Sequence, residues 1–263
     1  MILNYLRQIE QPIKIDELKE SMIVCYNHIC FSTFPYISYG HISSKEAILQ
    51  YNSGNCIGMC NFLKMYLKQN YNIESFIIPS SVPEKFIVNG QDKICHCALF
   101  VPKNKYEYFI LDCAFYFNEP IYVNVNDTNN KHIFSTNIHH NIIEQVTYSS
   151  ISCNEKTMLS DIYGCECFFV NNPQDKWCYY TNEIINPDET IGLKYHLIKK
   201  NPFLVKTMVV NNQIIKKYHL KKINEKITIS EGNNESQQYH INDIPQDKLH
   251  IFSELSKYFL NYF

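Results

Sequence analysis

Apolar residues in this chain repeat with two different periods, and the change between them falls shortly after residue 80. Cys56, Met59, Cys60, Leu63 and Leu67 are spaced by three and four, which is one buried face of an α-helix. From Phe86 the period becomes two. Residues 86–88, an Asn89-Gly90 turn, 94–101 and 106–115 read as antiparallel strands. A chain that is helical first and stranded afterwards is expected to fold as an α+β protein.

The rest of the chain fits that order. Asp16 is expected to cap a helix carrying Leu18, Met22 and Ile29 that ends before Pro35, and residues 46–51 form a short second helix. A strand at 73–78 is stopped by Pro79 and Pro83. Short β-like runs follow at 121–125, 133–134, 142–148, 165–170 and 177–181. Beyond Asn186-Pro187-Asp188 the pattern is mixed. A helix is expected at 191–199, a hairpin of 203–210 and 214–220 turns over Asn211-Asn212, a strand covers 227–230, and a last helix covers 249–259. Three domains are therefore expected: 1–85 helical, 86–185 stranded and 186–263 mixed.

Composition removes several classes of function. Hydrophobic content of 45% and charged content of 19% over 263 residues describe a folded globular chain. A net charge of −2 argues against a nucleic-acid binder. Lys216, Lys217, Lys221 and Lys222 read as a solvated strand face. No apolar run approaches the roughly 20 residues of a membrane helix, and the first residues lack the pattern of an export signal. The eleven cysteines are accordingly expected as reduced thiols in the cytoplasm. The Cys-x-Cys pairs Cys95/Cys97 and Cys165/Cys167 lack zinc-ribbon spacing, so no metal is expected. His139-His140 is placed in a polar loop.

One constellation carries chemistry. Cys56 falls at a helix N-terminus, capped by Ser53 or Asn55, where the helix dipole and free N–H groups favour a thiolate. A cysteine nucleophile needs a base, and the base needs an orienting group. His96 and Asp112 lie on adjacent strands. With a hairpin centred at Asn104 they would stand directly opposite each other on one face. Asp112 sits among Phe109, Ile110, Leu111 and Phe115, where a carboxylate is costly unless paired. Each residue alone reads as ordinary structure. Together Cys56, His96 and Asp112 make a thiol–imidazole–carboxylate triad.

These residues resemble those of the arylamine N-acetyltransferase family, and the likeness runs over nearly the whole chain. Tyr5-Leu6-Arg7-Gln8-Ile9 looks like its opening Tyr-x-x-Arg-Ile, and Phe34-Pro35-Tyr36 like its Pro-Phe-Glu-Asn. Gly54-Asn55-Cys56, His96 and Asp112-Cys113-Ala114-Phe115 stand where the family has its nucleophile, base and acid motifs, at gaps of 40 and 16 positions. Asn201-Pro202-Phe203 and Thr207-Met208-Val209-Val210 resemble the start of its third domain. The resemblance implies an N-terminal helical bundle, a central antiparallel β-barrel and a C-terminal α/β lid. It also implies acyl transfer from acetyl-CoA, through a thioester on Cys56, to a small-molecule amine acceptor. The departures lie beside the nucleophile, where Asn52 and Gly58 replace the family's Arg and Glu, and after the acid, where Ala114 and Tyr116 replace glycines. Gly54-x-Cys56-x-Gly58 is also similar to transglutaminase-like thiol enzymes. Amide exchange or proteolysis, and a non-catalytic binding role, stay open as alternatives.

Overall fold

The structure, a computed structural model, describes residues 8–39, 42–87, 92–127, 132–139, 142–153, 162–181, 183–186, 203–223, 226–231 and 236–251. The helical region contains α1 (Ile15–His28), β1 (Cys30–Ser32), α2 (Phe34–Tyr39), α3 (Ser44–Tyr51), β2 (Ser53–Gly54) and α4 (Cys56–Tyr71). Each helix shows its local cause. Ser43 and Glu46 form a reciprocal capping box at α3. Asn55 caps α4, and Asn72 ends it in the left-handed conformation that asparagine tolerates. Asp16 is not the cap of α1. Lys14 holds that position without a side-chain bond, and Asp16 lies in the first turn, where its charge complements the helix dipole.

The stranded region runs β3 (Phe76–Ser81), β4 (Ile94–Pro102), β5 (Glu107–Leu111), β6 (Ile121–Asn124), β7 (Ile133–His139), β8 (Ile142–Cys153), β9 (Ile162–Phe169) and β10 (Asn172–Tyr180). These strands form one antiparallel sheet in the order β6-β5-β4-β3-β10-β9-β8-β7. The sheet curls until its ends nearly meet. A Phe117–Thr136 bridge, with Asn118 N–H donating to Ser135 O and Asn137 N–H to Tyr116 O, joins the turn before β6 to β7. Full closure would remove unpaired edges, and this bridge is where the two ends of the sheet come together. His139 belongs to β7 and pairs with Ile142, so it is not in a loop. Residues 84–86 form a 3₁₀ turn, which takes Phe86 out of the strand expected at 86–88; residue 88 and the expected Asn89-Gly90 turn lie outside the described residues.

β11 (Phe203–Val210), β12 (Gln213–Ile223), β13 (Lys226–Glu231), β14 (Gln237–His240) and α5 (Gln246–Ile251) complete the described chain. Asn211 and Asn212 both have positive φ (50° and 60°), the two-residue turn expected between β11 and β12. The expected 191–199 helix and most of 249–259 lie outside the described residues. Hydrogen bonding crosses both expected domain boundaries. β1 and β2 complete the sheet β14-β13-β12-β11-β1-β2, and β3 lies inside the barrel sheet between β4 and β10. Among the described residues no helix is long and apolar enough to cross a membrane.

Tyr26 on α1 joins the two sheets. Its hydroxyl donates to Phe117 O (2.5 Å), and its own carbonyl accepts from Thr207 on β11 (2.7 Å). Beside it lies a correction to the expected lysine face. Lys217 is 1% exposed, donates to Asn137 O and stands 4.4 Å above the Tyr116 ring. Successive side chains of a strand point to opposite faces, so Lys216 and Lys217 cannot share one solvated face, and it is Lys217 that turns inward. Burial pushes its pKa down to about 7, against the opposing pull of Glu144. The ammonium is free in the unfolded chain up to its ordinary pKa near 10.5. The penalty for burying it is therefore absent above that pH, grows as pH falls, and is complete below about 7. Lys217→Met should stabilise the fold at pH 7 by roughly 1–2 kcal/mol. In denaturant titrations that gain should shrink steadily between pH 7 and 10.

Candidate active site

α4 lies against β3 and β4 and presents its first residue at the end of β4 that carries His96. Leu63 and Leu67 anchor its buried face, and Cys60 packs on Cys97 with sulfurs 3.9 Å apart. The helix start is held from behind. Asn55 Oδ1 accepts from Gly58 N–H (3.0 Å) and from the Ser44 hydroxyl (2.9 Å), while Asn55 N–H donates to the Tyr36 hydroxyl (3.0 Å). Gly58 is required by packing. A Cβ there would lie 2.9 Å from Ile48 Cγ1 and 3.3 Å from Ser44 O. The first i→i−4 bond of α4 is Met59 N–H to Asn55 O. The N–H groups of Cys56 and Ile57 are therefore uncommitted within the helix.

The structure brings Cys56, His96 and Asp112 together, by a register that differs from expectation. The β4–β5 ladder pairs Leu99 with Leu111 and Phe100 with Ile110, so its centre is at residue 105, not Asn104. The cause is Asn104 itself. Its side-chain oxygen accepts from both Tyr106 and Glu107 N–H, which makes residues 103–106 the turn. Asp112 thus lies one step past the end of β5 and diagonal to His96. Moving the centre by one residue shifts each partner by two, so both side chains still share a face.

Asp112 is fully buried with both oxygens occupied. Oδ2 accepts from His96 Nε2 (2.8 Å) and from the Tyr179 hydroxyl (2.7 Å), and Oδ1 accepts from Phe115 N–H (3.0 Å). With Nε2 on the carboxylate, His96 Nδ1 is the nitrogen left for the thiol. The Phe115 ring stacks on the imidazole at 4.3 Å and meets the edge of Trp177 at 5.7 Å. Phe86 packs on Phe115, and Lys85 Nζ, 2.7 Å from Asp175, ties that segment to β10.

Electrostatics favour an ion pair. Hydrogen bonds from the Cys97 thiol, the His96 imidazole and the Cys97 N–H hold the Cys56 thiol well below its ordinary pKa, against burial. Burial alone would lower the pKa of His96, but Asp112 and Cys56 outweigh it and raise the imidazole well above its ordinary value. Cys60 and Cys97, the thiols nearest by, are pushed up by burial. Only Cys56 is selectively acidic among them. Tyr179 was not singled out from sequence, and Cys97 was weighed there only as a metal ligand. Cys97 shows as the neighbour of His96, whereas Tyr179, 67 positions from Asp112, leaves no local signal. Among the described residues no three His, Cys, Asp or Glu side chains cluster as metal ligands. Iodoacetamide labelling of Cys56 should show a midpoint clearly below the ~8.5 of an ordinary thiol. His96→Ala should move that midpoint up towards the ordinary value, and an ordinary midpoint in the unaltered protein would refute the pairing.

No protein-family model matches the sequence, and no curated protein matches it. The fold does have close counterparts. An arylamine N-acetyltransferase of Bacillus cereus with a Cys-His-Glu catalytic triad is 14% identical, over 95% of this chain and 93% of that one, with a TM-score of 0.56. The Nocardia farcinica arylamine N-acetyltransferase is 13% identical over 97% and 92%, with a TM-score of 0.57. That of Mycobacterium marinum, in complex with CoA, is 10% identical over 91% and 85%, with a TM-score of 0.51. The fold expected from the resemblance is the fold observed.

Proposed function

We propose that this chain, folded as an arylamine N-acetyltransferase, is an acyltransferase that passes an acetyl group from acetyl-CoA through Cys56 to a small-molecule amine. One observation carries the reading: Cys56, at the start of α4, hydrogen-bonds an imidazole whose far nitrogen is held by a buried carboxylate. The likeness to a neighbour described in complex with CoA supports the donor. The setting is cytoplasmic, where a free thiolate persists, and the chemistry needs no metal.

The Cys56 thiolate attacks the thioester carbonyl. The developing oxyanion takes the Cys56 and Ile57 N–H groups, which the helix leaves uncommitted. The imidazolium of His96 gives its proton to the departing CoA sulfur, and Cys56 is left acetylated. An amine then attacks the acetyl carbonyl while His96 takes a proton from it, and the C–S bond breaks to return the Cys56 thiolate and release the amide. Asp112 holds Nε2–H throughout, so Nδ1 is the nitrogen that gives and takes the proton.

Incubation with acetyl-CoA and no amine should add one acetyl mass increment to Cys56. Cys56→Ala should abolish that increment, and adding an aromatic amine should discharge it. No increment with acetyl-CoA or other small acyl-CoA donors would refute the reading. Ammonia release or peptide cleavage without CoA would favour a thiol amidohydrolase instead.

A further inference from the structure

Cys56 can act only if the first turn of α4 is held still, and the residues that hold it carry no charge. Tyr36 on α2, Ser44 at the start of α3 and Asn55 before α4 form a buried cycle of hydrogen bonds. Asn55 N–H donates to the Tyr36 hydroxyl (3.0 Å), the Tyr36 hydroxyl meets Ser44 Oγ (3.2 Å), and Ser44 Oγ donates to Asn55 Oδ1 (2.9 Å). All three residues are 3% exposed or less. Asn55 Oδ1 also takes the Gly58 N–H, so the cycle ends on the backbone of the turn that carries Cys56.

The packing around the cycle is equally tight. A Cβ on Gly54 would lie 3.0 Å from the Tyr36 hydroxyl and 3.2 Å from Ile48 Cδ1. The backbone on both sides of Asn55 is thereby pressed against α2 and α3, and the Tyr36 oxygen is the atom it rests on. In such a setting a buried N–H without an acceptor is costly, and Asn55 would recover a partner only by turning its backbone. Turning Asn55 rotates the first turn of α4. That moves the Cys56 sulfur relative to His96, and it moves the two N–H groups that would face an oxyanion.

We propose that Tyr36 is a positioning residue for Cys56, acting through Asn55 and Ser44 to aim the thiolate at His96. The inference rests on the reading of Cys56 as the nucleophile. Its specific content is that the hydroxyl matters and not only the ring. Deleting the hydroxyl changes the reactivity of a thiol that Tyr36 is not itself argued to activate.

The test is the pH profile of Cys56 alkylation by iodoacetamide in Tyr36→Phe, which keeps the ring and removes the oxygen. Folding is monitored by circular dichroism. The alkylation midpoint should rise by about one pH unit, and the rate at pH 7 should fall about tenfold, as the thiolate loses its aligned partners. Ser44→Ala, which cuts the other arm, should move the midpoint the same way by a smaller amount. Ile42→Val is the packing control. Ile42 shares the apolar cluster of Tyr36 and Ala47 but makes none of these bonds, so it should lower the melting temperature and leave the profile unchanged. A folded Tyr36→Phe with the unaltered protein's profile overturns the proposal. If Tyr36→Phe does not fold, an unchanged profile in Ser44→Ala overturns it instead. Alkylation needs no acyl donor, so failure to accept acetyl from CoA leaves this inference standing. An ordinary midpoint in the unaltered protein removes both.

Discussion

A single carboxylate, that of Asp112, fixes how the parts of this molecule meet. A charge buried to this degree is tolerated only if donors replace the water it has lost. Asp112 takes them from three places: the imidazole of His96 on β4, the Tyr179 hydroxyl on β10, and the backbone of the turn at Phe115. β4 and β10 lie on either side of β3, so the carboxylate spans three strands of the barrel. The same turn then runs through Tyr116, held at φ 55°, into the Phe117–Thr136 bridge that nearly closes the sheet. A left-handed tyrosine is locally unfavourable. Here it is fixed by its stack on Tyr26 and by Lys217 above its ring. The acid of the candidate site and the closure of the barrel are thus consequences of one turn.

The helix that carries Cys56 meets this barrel from outside, and its alignment depends on neutral groups. Asn55, Ser44 and Tyr36 satisfy one another and the helix start, while Gly54 and Gly58 let α2 and α3 approach closely. A neutral hydrogen-bonded cycle buries at lower desolvation cost than an ion pair. It also adds no charge of its own beside Cys56, so nothing in the cycle competes with the imidazole for the thiolate. Sequence identity of 10–14% to neighbours of the same fold is understandable in these terms. Patterning and a few placed polar groups specify the architecture, and most core positions accept any apolar residue of suitable size.

Much of this was legible in the chain because it follows from periodicity and local chemistry. The three-and-four spacing from Cys56 to Leu67, the asparagine cap before it, and the positive-φ pair Asn211-Asn212 needed no tertiary information. Asp112 announced itself as a carboxylate in an apolar run. One reading failed on contacts the local sequence does not contain. Lys217 looked solvated because its burial is decided by β7 and by Tyr116, far away in the chain. Others failed on local hydrogen bonds that hydrophobic alternation ignores: the 3₁₀ turn at Glu84–Phe86, where Phe86 N–H donates to Pro83 O, and the Asn104 side chain that shifts the β4–β5 centre.

The sequence by itself determined most element types, the place of Cys56 at a helix start and the shared face of His96 and Asp112. That last reading survived a misplaced hairpin centre because moving the centre by one residue preserves the parity of a strand pair. Only the tertiary structure decided which nitrogen of His96 meets the carboxylate, that Tyr179 completes its shell, and that Tyr36 and Ser44 hold the helix start. Those choices are made between residues up to 67 positions apart. They depend on how two sheets and a helix pack, and no local pattern encodes that.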